Sequence, residues 1–314
     1  MADATHLDAA RGAAIISEHP RPSVTIAQLT DVHLTADGSP LHGAVDSDRT
    51  LVTAIARLEA SGIRPDAVVL SGDLADKGDR GAYERLRDIM AGPISRMGSQ
   101  LVVATGNHDD RAALRAVMLQ GAPAEADALT SLGPDAPICG VHMVAGLRIV
   151  VLDSSVPGAH WGTVDDRQLA WLEGVLETRA PLGSILVLHH PPVPAFLDLA
   201  VTVELRDQER LARVLAGSDV RAIVGGHTHH AVSSTFAGIP VHTAPSLAYT
   251  QDLLVESGGR RGQDGERALG LLQVLPDAIA YAIAPIATHP TVGEPLTPEE
   301  SRARIAQSGI AWRE

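Results

Sequence analysis

The sequence predicts an α/β protein, one large domain with a short C-terminal appendage. Through the first 120 residues short apolar runs alternate with helical patterns in the order β-α-β-α-β-α, as in a parallel sheet covered by helices. Five apolar runs along the chain end in Asp, Asn or His, as strands do when they deliver side chains to one sheet edge. The chain has 314 residues, 45% hydrophobic and 20% charged, an ordinary globular composition with ample material for a core.

Residues 1–22 read as a loose arm that ends in the extended His19-Pro20-Arg21-Pro22. The main domain is expected over 23–285. Its first strand, 24–30, stops before Asp31-Val32-His33. Leu51, Ala54, Ile55 and Leu58 at three-four spacing predict a helix over 46–61. The run Ala67-Val68-Val69-Leu70 is too short for a helix and reads as a buried strand, broken by Gly72 just before Asp73. A helix over 79–90, a strand from Leu101 to Thr105 before Gly106-Asn107-His108-Asp109, and a helix over 111–120 follow. Residues 121–138, rich in Ala, Pro and Gly, read as a surface loop. A hairpin is expected over 141–152 with Ala145-Gly146 at the turn, then an amphipathic helix over 165–179 with Trp171 in the core. Strand 184–188 delivers His189-His190. Helix 203–215 leads to strand 220–224, which delivers Gly225-Gly226-His227-Thr228-His229. Further strands are expected at 235–243, 271–274 and 278–283. A Pro/Gly-rich extension over 286–314 carries a short helix, 298–308.

Composition narrows the function classes. No apolar run approaches the roughly eighteen residues that span a bilayer, so no transmembrane helix is expected. The first 22 residues mix Ala with charges and lack the apolar stretch of a signal peptide. The single Cys139 suits a reducing cytoplasm. A net charge of −13 argues against nucleic acid as the partner.

Taken alone, Asp73 would be a turn or cap residue. Five strand ends that all deliver Asp, Asn or His are harder to explain by turn chemistry, and together they predict a two-metal site. In extended chain Asp31 and His33 point the same way, as do His227 and His229. The first pair and one His of the second would hold one ion, while Asn107, His189 and the other His would hold a second. Asp73 would be shared, setting a metal–metal distance of roughly 3.5–4 Å. Two divalent ions bring +4; Asp31, Asp73 and one bridging hydroxide cancel 3, leaving about +1 to attract an anionic phosphoester.

The succession Asp-x-His, Gly-Asp, Gly-Asn-His-Asp, His-His, Gly-His-x-His over residues 24–230 resembles the calcineurin-like metallophosphoesterase superfamily. Within it, segments such as Gly72-Asp73-Leu74-Ala75-Asp76-Lys77-Gly78 and His189-His190-Pro191-Pro192 look like bacterial class III cyclic nucleotide phosphodiesterases. The resemblance implies a four-layer α/β sandwich and two metal ions, Fe with Mn, or Mn/Mn, Zn or Co. It assigns Asp31, His33, Asp73 and His229 to one ion and Asp73, Asn107, His189 and His227 to the other. His108 would contact phosphate and assist the leaving group, with Asn107, His108 and His229 binding substrate. The implied reaction is hydrolysis of 3′,5′-cyclic AMP and related diesters to the 5′-monophosphate, by a hydroxide held between the metals. Homodimers, with 247–254 at the contact, are implied too. The runner-up reading is a broader diesterase or phosphomonoesterase on the same centre, and a non-catalytic interaction module is a distant third.

Other residues have plainer expectations. His6, His19, His42, His142, His242 and His289 read as core or surface, and His230 as exposed. His190 could support a ligand, and His160-Trp161-Gly162 could wall the pocket. Asp76 and Asp109 could orient imidazoles or cap helices, and Asp110 reads as a cap. Arg111 could reach phosphate or pair with an acid.

Overall fold

Each central strand is apolar on both faces, and the architecture follows from that. A computed structural model describes residues 15–313. In chain order its first half contains β1 (Ile15–Pro20), β2 (Val24–Leu29), α1 (Ser47–Ala60), β3 (Ala67–Ser71), α2 (Arg80–Met97), β4 (Gln100–Ala104) and α3 (Arg111–Met118). β5 (Gly140–Val144), β6 (Leu147–Val151), α4 (Asp166–Leu176), β7 (Ser184–Val187), α5 (Gln208–Leu215) and β8 (Val220–Gly225) follow. Next come β9 (Val232–Phe236), β10 (Ile239–Thr243), β11 (Thr250–Gln251), β12 (Gly262–Gln263), β13 (Ala268–Val274) and β14 (Ile279–Pro285). α6 (Pro298–Ser308) and β15 (Ile310–Arg313) close the described chain.

Two sheets result. One has the order β14-β13-β2-β3-β4, the other β5-β6-β7-β8-β10-β9. Alternate residues of one strand feed different cores. Val24 and Ile26 of β2, Ala67 and Val69 of β3, Ile149 and Val151 of β6, and Ile185 and Val187 of β7 meet between the sheets. Ala27, Leu29, Val68 and Leu70 face α1 and α2 through Leu51, Ile55, Tyr83 and Leu86. Val150, Leu186 and Ile223 face α4 and α5 through Leu172 and Leu211. This is the expected four-layer order, helix-sheet-sheet-helix, and each buried side chain of this size contributes roughly 1.5–3 kcal/mol.

Several boundaries differ from the sequence reading. α2 runs to Met97 through Pro93, because Ile94 and Met97 continue its packed face; Gly98, at φ 70°, caps it. The 203–215 helix starts only at Gln208. Residues 204–206 instead pair with Gly162, whose N–H reaches the Glu204 carbonyl at 3.2 Å and whose carbonyl accepts from Arg206 N at 2.8 Å. The 235–243 strand is a hairpin, β9 and β10, turning at Ala237-Gly238. The 121–138 loop contains two short 3-10 turns, Ala124–Asp127 and Thr130–Leu132. The expected loose arm needs correcting as well: residues 15–20 form β1, which pairs in parallel with β15 from the other end of the chain. Its first 14 residues lie outside the described part. The appendage helix stands as expected, opened by a Thr297/Glu300 capping box. Among the described residues no helix is long and apolar enough to cross a membrane.

Candidate metal centre

Strands β2, β3, β4, β7 and β8 deliver the motif residues, and beyond β2, β3 and β8 the chain turns through left-handed backbone at candidate ligands. Asp31, His33, Asp73, His227 and His229 have φ of 52°, 49°, 51°, 69° and 55°. Left-handed backbone at a non-glycine residue costs of order 1 kcal/mol or more, and here it concentrates on the residues the motifs singled out. The motif glycines make room for this. Gly72, at φ 98°, lies against the His189 imidazole, where a Cβ would come within 2.5 Å of Nδ1. A Cβ at Gly106 would collide with the backbone and carboxylate of Asp73.

The Asp and His candidates fall into two close groups, Asp31, His33, Asp73 and His229 in one and His189 and His227 in the other. One donor atom each from Asp31, His33, Asp73 and His229 lies within 4.8 Å of the others, and all four residues are buried. His33 Nε2 is 3.2 Å from His229 Nε2, and His229 Nε2 is 3.3 Å from Asp31 Oδ1. Asp73 Oδ2 stands 3.6 Å from His33 Nε2 and 3.2 Å from His189 Nε2, so this one carboxylate faces both halves of the cluster. Its Oδ1 accepts the His108 backbone N–H at 2.9 Å. The Asp31 carboxylate accepts the His227 N–H at 3.1 and 3.0 Å.

Backbone carbonyls fix the rings. His189 Nδ1 donates to Ser71 O, His229 Nδ1 to Tyr249 O and His227 Nε2 to Val203 O, each at 2.9 Å. A carbonyl only accepts, so in each neutral ring the lone pair sits on the other nitrogen, as a ligand imidazole requires. The Asn107 amide nitrogen is 3.1 Å from His160 Nδ1, while its Oδ1 is buried without a hydrogen-bond partner, as is His189 Nε2. Buried polar atoms without partners are costly, and these two belong to residues that the sequence assigned to the second ion.

Electrostatics agrees. Burial works to raise the Asp31 carboxyl, yet His229 beside it holds it at about 2. Asp73 likewise stays well below the usual carboxylate range despite burial, held down first by His189. Burial opposes charge on His189, but Asp73 pushes its imidazole up to about 9; burial first, and then the charge on His189, drives His227 down to about 3. The two carboxylates are thus balanced by imidazolium charge that a metal cation would displace. Two carboxylates, four imidazoles and an amide oxygen are a donor set suited to Mn, Fe, Zn or Co. We expect chelation to lower the thermal midpoint by several degrees and manganese to restore it, since an ion at 100 times its Kd adds about 2.7 kcal/mol. An unchanged melting curve after complete metal removal would count against the cluster as a metal site.

Neighbouring residues divide clearly. Asp109 does not cap: its carboxylate accepts from Leu74 N, Ala75 N, Gly106 N and the Tyr83 hydroxyl at 2.8–3.2 Å, tying two ligand loops together. Burial, with Asp73 next, raises it to about 6. Asp76 stands 3.6 Å from His33 Nδ1, whereas Asp110 caps α3 through Ala113 N. Arg111 pairs with Asp153 at 2.7 Å and belongs to the scaffold. His190 offers a donor atom within 4.8 Å of those of His189 and His227, while its Nδ1 meets Ser154 Oγ at 2.8 Å and its Nε2 the His160 carbonyl at 3.1 Å. Trp161 packs under Arg206, 4.0 Å from guanidinium to ring, and is not among the cavity's lining residues.

A cavity of about 420 Å³ opens over the cluster. Asp73, Asn107, His108, His160, His227 and His229 line it, as expected from the motifs. His42 and His230, read from sequence as unspecialised, line it too, and His230 is only partly exposed. Sequence reasoning missed Tyr249, Gln251, Arg260 and the 193–205 wall as cavity residues, since loops, a short 3-10 turn and a two-residue strand carry no periodicity.

A four-layer sandwich whose five strand ends gather carboxylates, imidazoles and an amide around one shared aspartate has the layout of a two-metal hydrolase. Residues 24–231 match the Calcineurin-like phosphoesterase family, and the chain belongs to that family. It is 48% identical over 294 residues to a cAMP/cGMP dual specificity phosphodiesterase of Mycobacterium tuberculosis, covering 94% of this chain and 89% of that one. It is 31% identical over 209 residues to a 3′,5′-cyclic adenosine monophosphate phosphodiesterase of Pseudomonas aeruginosa, covering 66% and 70%. Among solved structures, a dimetal phosphatase of Danio rerio superposes with a TM-score of 0.61 at 18% identity, over 85% of this chain and 97% of that one, a likeness of fold.

Proposed function

We propose that this phosphoesterase hydrolyses 3′,5′-cyclic nucleotides, cyclic AMP among them, to 5′-monophosphates. The observation that carries the reading is the position of Asp73, facing both halves of the ligand cluster at the floor of the cavity. Near-full-length similarity to a cyclic nucleotide phosphodiesterase supports the substrate class. In this reading Asp31, His33, Asp73 and His229 hold one ion, and Asp73, Asn107, His189 and His227 the other. The pair is Fe with Mn, or Mn/Mn, Zn or Co. Such ions, when bound, make water nucleophilic at neutral pH and offset charge on phosphoryl oxygens.

The chain's own contribution is orientation and proton transfer. Carbonyl-anchored imidazoles keep the cluster rigid before substrate arrives. His108 donates Nδ1–H to the Asp76 carbonyl at 2.7 Å, so its Nε2 is left for substrate; carrying a proton there, it donates to the departing 3′-oxygen. Water's oxygen bonds to phosphorus, the bond to the 3′-oxygen breaks, and a proton ends on that oxygen. A cytoplasmic homodimer belongs to the same reading, with support from the family resemblance and the single Cys139, which is buried.

The test is hydrolysis by manganese-loaded protein of 3′,5′-cyclic AMP, 2′,3′-cyclic AMP, bis(p-nitrophenyl) phosphate and p-nitrophenyl phosphate. We expect preference for 3′,5′-cyclic AMP, with 5′-AMP as product. Fast cleavage of the generic diester with cyclic AMP almost untouched would overturn the substrate while leaving the metal centre in place.

A further inference from the structure

Beside the ligand cluster the cavity has unequal walls. One is apolar, built by Val193, Pro194, Phe196, Leu199 and Val203. On the other, Arg260 is the only lining residue with a permanent positive charge. Arg260 lies in the 252–261 loop between β11 and β12, which pair antiparallel at its base. Its neighbours Arg261 and Arg267 are spent on Asp252, at 2.7 Å, and Asp264. No ion pair among the described residues includes Arg260. It is aimed by neutral groups instead. Gln251, oriented so that both its amide atoms are satisfied, accepts from Arg260 Nε at 3.1 Å and Nη2 at 3.3 Å, and donates to the Arg261 carbonyl at 3.2 Å. Two of the guanidinium's five N–H groups go to Gln251 and one to the Tyr249 side chain, which leaves two. Tyr249, which Arg260 adjoins, packs its ring 4.2 Å from that of His229, so the arm carrying Arg260 is continuous with the ligand cluster.

A guanidinium offers donors and no acceptors. Arg260 is exposed at the cavity's rim, so what it selects is set by the pattern of acceptors a base presents to it. Among purines it therefore favours the guanine edge, with acceptors at O6 and N7, over the adenine edge, where N7 stands beside an amino donor. We propose that Arg260 is a specificity-determining residue of this cavity, binding the O6/N7 edge of a guanine-type base while the cyclic phosphate lies over the Asp/His/Asn cluster. The inference rests on the cyclic nucleotide reading above and adds the residue that weighs one purine against another.

The test compares the manganese-loaded wild type with Arg260→Met, and with Arg260→Lys, which keeps charge but loses the fork. Cyclic GMP, cyclic IMP and cyclic AMP are the substrates. Cyclic IMP keeps O6 and N7 but lacks the 2-amino group, so it isolates the edge in question. We expect Arg260→Met to lower kcat/KM for cyclic GMP and cyclic IMP about tenfold relative to cyclic AMP, mostly through KM, with partial recovery in Arg260→Lys. An unmoved ratio, or equal losses on all three, would overturn the assignment; equal losses would make Arg260 a general anion attractor. Metal content and melting temperature of each variant separate misfolding from lost recognition. Should the wild type cleave bis(p-nitrophenyl) phosphate but none of the three nucleotides, the substrate reading itself falls, and Arg260's role with it.

Discussion

Asp73→Ala abolishes turnover and empties both metal positions. That is the largest single effect we expect, a loss of about 10³-fold or more in kcat, because a shared ligand removes the several kcal/mol that both ions contribute to the transition state. The geometry leaves no substitute. Among the described residues Asp73 is the one carboxylate that pairs with both His189 Nε2, at 3.2 Å, and His33 Nε2, at 3.6 Å. Ala is also a poor fit to the backbone there, since φ at position 73 is 51°. Asp73→Asn is the better control, as Asn tolerates left-handed backbone and keeps the acceptor for the His108 N–H while losing the charge. It should fold, show reduced metal by elemental analysis, and hydrolyse substrate at a small fraction of the wild-type rate. A metal-replete, fully active Asp73→Ala protein would sink the shared-ligand assignment.

The sheet and its ligand edge were legible in the sequence for a physical reason. A strand buried on both faces must be apolar throughout, so Ala67 to Leu70 announced itself, and a polar residue at its end had to lie at the sheet's rim. Five such rims, each with an Asp, Asn or His, point to one cluster. The tautomers were not legible. Nothing in the sequence says that His227 would spend Nε2 on the Val203 carbonyl while His189 and His229 spend Nδ1 on Ser71 and Tyr249. Nor could local pattern reveal Asp109, which looks like one more helix cap yet serves as a clamp on the Asp73 and Asn107 loops. His190 is similar. Its neighbour's role made it a natural candidate for support, but its contacts to Ser154 and His160 come only from the structure. The pairing of β1 with β15 was invisible for a different reason: a four-residue strand carries little periodic signal, and its partner comes from the opposite terminus.

His108→Ala divides ligation from proton transfer. The backbone N–H of residue 108 anchors Asp73 Oδ1 at 2.9 Å, and a change of side chain leaves that bond intact. Both ions should therefore remain at wild-type stoichiometry. The lost imidazole is the one whose Nδ1 is tied to the Asp76 carbonyl and whose other nitrogen serves the cavity. Without it the 3′-oxygen leaves as an unassisted alkoxide, and kcat for 3′,5′-cyclic AMP should fall by roughly 10²- to 10⁴-fold, the range of general acid catalysis. A p-nitrophenolate leaving group is stable without a proton, so bis(p-nitrophenyl) phosphate should suffer a much smaller loss. Unequal losses on the two substrates, with metals retained, would identify His108 as the proton donor. Equal losses would recast it as a contact to the phosphoryl oxygens, common to both substrates. Loss of metal would move it into the ligand set, beside His33, whose ring centroid is 4.8 Å away.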